Sequence, residues 1–194
     1  MQNKVIGISG YARAGKDTFF SLAKEILLKS GINSNRIAFA DCLKSDLDQL
    51  IQDNLGFSSF TEKGEEKEII RPLLVCFGSQ VMRKLDDRYW IRKLSSKIKL
   101  NSVNFITDVR YPNEVEWIQE ELNGVCVNLE RTGYRAINSE EAKYGPQIKS
   151  LADTKFKWED LNSQNKESYM NDISNLIFSS LNHERKRVRL NFNQ

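Results

Sequence analysis

The sequence predicts an α/β protein of three layers, a mostly parallel sheet of about five strands with helices on both faces. Three observations carry that expectation. Short runs of β-branched and aromatic residues alternate with stretches in which apolar residues recur every three or four positions. The first of these runs passes through a glycine-rich turn directly into the first helical stretch. With 40% apolar residues in a chain of 194, and only 10 Gly and 3 Pro, a full core can be buried in a single domain.

The elements follow in order. Lys4-Val5-Ile6-Gly7-Ile8-Ser9 reads as a short buried strand that ends at Gly10. Phe19, Leu22, Ala23, Ile26 and Leu27 mark one face of a helix, and Gly31 stands where a helix-ending glycine belongs. Arg36 to Ala40 is a second strand, and Cys42 to Leu55 a second helix. The polar stretch from Ser58 to Lys67 predicts a mobile connection. Two helices follow on the stripes Ile70-Leu74-Phe77-Val81 and Trp90-Leu94-Ile98. Val103 to Thr107 is a strand, Asn113 to Leu122 a helix, and Val125 to Leu129 another strand. Residues 132–150 are polar, punctuated by Gly and Pro, and without a period, which predicts an irregular closing lid. A weak strand near Thr154–Trp158 precedes a last helix on Met170, Ile173, Leu176, Ile177 and Leu181. No internal repeat interrupts this order. The expected organisation is therefore one domain over 1–194, with a helical insert at about 42–100, a lid at about 132–150 and a basic tail at 183–194.

Composition excludes several classes. The longest apolar run, Leu73 to Phe77, has five residues, against the roughly 20 a membrane helix needs. Met1-Gln2-Asn3-Lys4 opens into a strand rather than a signal segment, so a soluble cytoplasmic protein is expected. Cys42, Cys76 and Cys126 stand apart from one another and from the single His183, a spacing that suits neither zinc nor a disulfide framework. Chemistry resting on a His triad is excluded on the same ground. The net charge of +3 sits in the tail, where Arg185, Lys186, Arg187 and Arg189 face Glu184; the remaining residues balance at 25 basic and 25 acidic. A balanced body is not the footprint of a nucleic-acid binder, and the tail is the one hint of such a partner.

The strongest motif is Gly10-Tyr11-Ala12-Arg13-Ala14-Gly15-Lys16-Asp17-Thr18, which fits G-x-x-x-x-G-K between a strand and a helix. Glycines let such a loop curl so that successive N–H groups point at phosphate oxygens. The helix behind it adds the positive end of its dipole, and Lys16 supplies a mobile charge for the β- and γ-phosphates of ATP. Gly10, Arg13, Ala14, Gly15, Lys16, Asp17 and Thr18 are thus the candidate ATP-binding residues. Asp17 stands where a magnesium-ligating hydroxyl usually follows the lysine, and its hard oxygens could contact Mg²⁺ directly or through water.

Candidates for a second, anionic substrate lie beyond the other strands. Asp41 is placed at the end of the second strand, able to bind Mg²⁺, to orient an acceptor or to cap the following helix. Lys44 lies one turn on. Asp108 and Arg110 end the third strand, where an acid positions Mg²⁺ and an arginine grips an anion. Arg71 and Arg83 punctuate the insert, and Arg131 and Arg135 border the lid. Trp90, Phe77 and Tyr111 offer stacking surfaces or core packing.

Taken together, the loop, Phe39-Ala40-Asp41-Cys42-Leu43-Lys44, Arg71-Pro72-Leu73-Leu74 with Phe77-Gly78, Asp87-Arg88-Tyr89-Trp90, and Thr107-Asp108-Val109-Arg110-Tyr111-Pro112-Asn113-Glu114 resemble bacteriophage-type deoxynucleoside monophosphate kinases. The resemblance runs from about residue 4 to 131. It implies a P-loop kinase fold and Mg²⁺-dependent transfer of a phosphoryl group from ATP to a deoxynucleoside monophosphate, in the host cytoplasm if the chain is viral. It places the monophosphate near Asp41, Lys44, Arg71, Asp108 and Arg110, with Arg83 and Trp90 beside them, and Asn162-Ser163 near the adenine. Mg²⁺ falls to Asp17 and Asp108. Lys16 and a lid arginine, Arg135 before Arg131, meet the transferring group, while Asp41 orients the acceptor. Dephospho-coenzyme A and phosphomevalonate kinases, which share the Gly-Lys-Asp variant, are the alternatives, followed by a nucleotide-binding regulator. The residues leave the base, the sugar and the oligomeric state open, a homodimer included.

Overall fold

The computed structural model of the chain describes residues 4–162 and 164–182, so the basic tail, His183 and Ser163 lie outside the described residues. Five parallel strands form one sheet in the order β2-β3-β1-β4-β5: β1 (Lys4–Ser9), β2 (Ser34–Ile37), β3 (Val103–Val109), β4 (Val125–Arg131) and β5 (Thr154–Trp158). The two-residue alternation of β1 sends Ile6 and Ile8 to one face and Val5 to the other. On the first face they join Phe19, Leu22, Ala23 and Leu27 of α1 (Lys16–Lys29) and Ile173 and Ile177 of α8 (Lys166–Leu181). On the second, Val5, Ile106 and Cys126 pack against α2 (Phe39–Leu55), α5 (Tyr89–Ser95) and Trp117 and Ile118 behind the short α6 (Pro112–Glu116). This is the three-layer α/β kinase fold that the sequence predicts.

Sheet order places the site. From β1 the chain builds β2 and β3 on one side, then crosses over to β4 and β5 on the other, and the carboxyl ends of β3, β1 and β4 flank a crevice at this switch. The phosphate loop, the Asp108–Arg110 segment and the Asn128–Arg131 segment all emerge there.

The insert is α3 (Gly64–Val75), a π-helical stretch Cys76–Met82 and the single turn α4 (Arg83–Leu85), followed by α5. Leu47, Ile51 and Ile70 give it a small core of its own. The 58–67 connection is shorter and better anchored than its polarity suggests. Asp48 accepts hydrogen bonds from the Ser58 hydroxyl at 2.8 Å and from the Ser59 N–H at 2.7 Å, and α3 begins at Gly64.

Two boundaries differ from expectation in ways that matter for the site. The second helix begins at Phe39, not Cys42, because the Asp108 carboxylate accepts the Phe39 and Ala40 N–H groups, both at 2.8 Å, and so caps the helix three residues early. Asp41 therefore lies in a first helical turn rather than at a strand end. The 132–150 segment is not irregular: α7 (Ser139–Leu151) occupies most of it, capped by the Asn138 side chain, which accepts the Glu141 N–H at 2.8 Å. Its period escapes detection because Ile148 is the buried residue of the helix, and because Pro146 sits inside it. Among the described residues no helix is long and apolar enough to cross a membrane.

Candidate active site

The loop Gly10–Thr18 joins β1 to α1 with Arg13 and Gly15 in left-handed conformations, φ 63° and 84°. Gly15 has a second reason to be glycine: a Cβ there would stand 2.3 Å from the Trp158 ring. Trp158, at the end of β5, is buried under the loop, and its Nε1–H donates to the Ala14 carbonyl at 2.8 Å. Lys16 folds back over the loop, its Nζ donating to the Gly10 and Tyr11 carbonyls at 2.8 and 2.9 Å. Burial, and then the nearby Arg110 guanidinium, hold its pKa below the ordinary lysine value. Asp17 and Thr18 are exposed at the helix start.

Helix α7 closes over this loop. Gly145 lies against the Tyr11 ring so closely that a Cβ would come within 2.5 Å of it. Glu141 accepts the Ala12 N–H at 3.1 Å and the Ile137 N–H at 3.2 Å, with Arg110 Nη1 4.0 Å away. Its neighbour Glu140 accepts the Tyr111 hydroxyl.

Two cavities lie side by side, and the loop lines one of them. The smaller, about 140 Å³, lies between Gly10, Tyr11 and Ala14 of the loop, Asn128–Arg131 of β4, and α7. The larger, about 430 Å³, lies between the loop side of β3, α2 and the insert. Arg110 and Glu140 line both, so the two spaces share one wall. Lys44, Arg71, Arg83, Trp90, Asp108 and Arg110 all line the larger cavity, which brings these six candidates into one space. Its apolar walls are Phe39, Leu43, Ile70, Leu74 and Val75, and Lys67 adds a further cation.

The candidates differ in how they are held. Trp90 is a core residue whose Nε1–H donates to the Gly78 carbonyl at 3.1 Å. Lys44 stands over the Phe60 ring at 5.4 Å, and exposed Arg71 pairs with Glu68 at 2.7 Å. The Arg83 guanidinium carbon stands over the Tyr111 ring, 3.7 Å from its centre, and the group pairs with Glu114. Burial pushes the Asp108 carboxyl above its ordinary value, against the pull of the two helix N–H groups and of Arg110. Asp41 is outside both cavities and pairs with Arg36 at 2.8 Å. Arg131 lines the smaller cavity, pairs with Asp160 and donates to the carbonyl of exposed Arg13 at 3.1 Å. Arg135 is exposed and lines neither cavity. Asn162 caps the turn before α8 by accepting the Gln164 and Asn165 N–H groups at 2.9 and 3.0 Å, also away from the cavities.

Sequence reasoning missed Trp158, Glu114, Glu140 and Glu141. One signal for Glu114 was present: a glutamate three residues after Tyr111, with Pro112 at the first helical position, is the spacing of a residue that reaches back to a helix start. Nothing local marks Trp158, whose partner lies 144 residues away.

For Mg²⁺, no group of three or more His, Cys, Asp or Glu side chains among the described residues could hold the ion alone. The exposed Asp17 carboxylate fits the role of a single ligand beside nucleotide phosphates, which is how Mg²⁺ is commonly held in kinases. Asp108 already receives two N–H groups and fits a ligand role less well.

A strand-to-helix phosphate loop at the switch point of a parallel sheet, with a cationic cavity beside it, defines a P-loop kinase, a phosphotransferase acting on small molecules. More particularly, the chain belongs to the phosphomevalonate kinase family, whose model matches residues 8–124. No curated protein matches the chain. Among solved structures, shikimate kinase from Bacteroides thetaiotaomicron is similar at 16% identity and a TM-score of 0.51, over 90% of this chain and 98% of that one. Shikimate kinase from Aquifex aeolicus aligns at 19% identity and a TM-score of 0.47, over 92% and 96%. APS kinase from Mycobacterium tuberculosis aligns at 11% and 0.42, over 94% and 99%.

Proposed function

We propose that the chain transfers the γ-phosphoryl group of ATP to the phosphate of a deoxynucleoside monophosphate, giving ADP and the diphosphate. The observation that carries this reading is the larger cavity. It combines apolar walls with the cations Arg83 and Arg110, and Arg110 also lines the smaller cavity, which the phosphate loop borders. The resemblance of the loop, Asp41–Lys44 and Asp108–Glu114 segments to such kinases supports the same acceptor.

Phosphoryl transfer asks mainly for alignment and charge neutralisation. ATP phosphates on the loop would draw Lys16 from the Gly10 and Tyr11 carbonyls onto the β- and γ-oxygens. Arg110, on the wall shared by the two cavities, would lie between the donor and acceptor phosphates, with Arg83 and Lys44 holding the acceptor. An acceptor phosphate oxygen then attacks the γ-phosphorus as the bond to the β,γ-bridging oxygen breaks. The acceptor is already ionised at neutral pH, so no strong base is needed. Mg²⁺ arriving with the nucleotide would neutralise charge on the β- and γ-phosphates, with Asp17 and Thr18 nearest to hold it. Arg131 is the lid-side arginine already on a cavity wall; a role for Arg135 requires the 132–138 segment to move, and Asp41 would act only after leaving Arg36.

A second reading rests on the family match. Phosphomevalonate is also a phosphomonoester, but with a carboxylate at its other end, and Lys67 and Arg71 on α3 offer that end a partner. ADP release in the presence of ATP and Mg²⁺, with each common deoxynucleoside monophosphate, its ribose counterpart, and phosphomevalonate, decides between them. Stimulation by the first group supports the proposal. Stimulation by phosphomevalonate alone replaces it, and stimulation by none overturns both.

A further inference from the structure

We propose that Glu114 is the positioning residue of the acceptor site: it fixes the Arg83 guanidinium and the Arg110–Tyr111 turn so that both arginines face the acceptor phosphate. This rests on the reading of the larger cavity as the acceptor site.

Glu114 is a charged residue almost wholly buried in the wall of the larger cavity. Its side chain is 1% exposed and that of Arg83 is 13% exposed. A carboxylate that deep in the protein persists only where its oxygens are fully used. Both are. Oε1 takes the Arg83 Nη2–H, and Oε2 takes the main-chain N–H of Arg110 at 2.7 Å and of Tyr111 at 3.1 Å. One side chain thus joins the insert, through α4, to the end of β3. Both residues it holds line the larger cavity, and Arg110 also lines the smaller one.

The alternative, that Glu114 serves folding alone, predicts a different set of partners. A purely structural cap would need only the two N–H groups at the start of α6. The Arg83 contact adds nothing to that cap, yet it comes with a second restraint on the same guanidinium, the Tyr111 ring beneath it at 3.7 Å. The Tyr111 hydroxyl is in turn held between Ser79, 3.1 Å away, and Glu140. An arginine pinned from one edge and one face keeps its remaining N–H groups in a fixed direction. Such pre-orientation is how a site avoids the entropy of ordering a long side chain when its ligand arrives.

Glu114→Gln separates the two tasks. The amide oxygen can still accept from Arg110 and Tyr111 N–H, while the NH₂ group that replaces Oε1 cannot accept from Arg83. Calorimetric binding of thymidine monophosphate and of phosphomevalonate, and steady-state kinetics with whichever is turned over, are compared for wild type, Glu114→Gln, Arg83→Ala and the double variant. The expected result is an acceptor affinity weakened about tenfold or more by Glu114→Gln, the size seen when a supporting contact behind a binding side chain is lost. The KM for ATP stays within about twofold, and Glu114→Gln adds nothing further once Arg83 is alanine. Unchanged acceptor affinity overturns the inference. So do equal losses for ATP and acceptor, which mark a general structural effect, and an undiminished effect in the Arg83→Ala background. If wild type binds an acceptor without turning it over, the kinase reading fails while the binding comparison still tests Glu114. If wild type binds neither compound, both fall.

Discussion

The carboxylate of Glu141 lies on the phosphate loop, where it accepts the Ala12 N–H at 3.1 Å and stands 4.0 Å from the Arg110 guanidinium. An incoming triphosphate competes for these same donors and meets a like charge there. Glu141→Gln should therefore tighten ATP binding. A phosphate oxygen about 4 Å from the carboxylate is repelled by about 4 kcal/mol at an effective dielectric constant of 20 and about 1 kcal/mol in bulk water. With its side chain only 11% exposed, Glu141 belongs between those limits and away from the aqueous one. The smaller figure alone gives a dissociation constant for ATP lower by about fivefold. If α7 instead swings away to admit ATP, the variant surrenders a charge-assisted contact to Ala12 and gains affinity by the same route, since opening then costs less. The assay is calorimetric titration of wild type and variant with ATP in the absence of Mg²⁺, so that no metal contact of Glu141 enters. Affinity that is unchanged or weaker in Glu141→Gln would refute the argument.

Three further outcomes follow from the same contacts. Lys16→Ala should lower kcat by about 10²–10³ while leaving the fold intact by circular dichroism, because a preorganised charge on the moving phosphoryl group typically supplies about 3–4 kcal/mol; full turnover in the variant excludes Lys16 from the reaction. Trp158→Phe removes the Nε1–H that satisfies the Ala14 carbonyl and thins the wall behind Gly15; a loss of about 1–3 kcal/mol in urea unfolding is expected, together with weaker ATP binding, and no change in either would show that the loop holds its own shape. The Glu114 carboxyl is pushed up to about 6 from 4.5, chiefly by burial. A raised carboxyl pKa means that the folded state binds the proton more readily than the unfolded one, so this group costs stability above pH 6 and the cost fades as pH falls through that value. Relative to Glu114→Gln, wild type should gain about 1 kcal/mol in unfolding free energy between pH 7 and pH 5, and a flat difference would place the Glu114 pKa near its ordinary value.

What could be read from the sequence, and what could not, divides along a physical line. The sheet and the phosphate loop were legible because their causes are local: β1 carries Val5, Ile6 and Ile8 in a short strand-like stretch, α1 has a clean stripe from Phe19 to Leu27, and the loop between them must contain Gly15 whatever surrounds it. Arg71, Arg83 and Arg110 could be named as anion binders, but their grouping in one cavity depends on how the insert folds back, which no spacing encodes. Asp41 and Asp108 show the limit most clearly. Each reads as an acid closing a strand, and only the sheet register decides which one faces the other's helix. β2 and β3 pair with Ser34 opposite Val103 and Ile37 opposite Ile106, and this brings Asp108 to the Phe39 and Ala40 amides. The cap starts α2 early and carries Asp41 around to Arg36. Helix α7 fails to show itself for a related reason. α7 buries little beyond Ile148 and holds its place through Gly145 on Tyr11, Glu141 on Ala12 and Glu140 on Tyr111, contacts with residues far away in the chain. A helix with a single buried aliphatic residue, held otherwise by glycine, tyrosine and carboxylate contacts, has no period to read. Of its two carboxylate contacts, the one made by Glu141 holds a phosphate-loop N–H, and incoming phosphates compete for that donor. The segment least legible in the sequence is thus the one whose position the substrates should control.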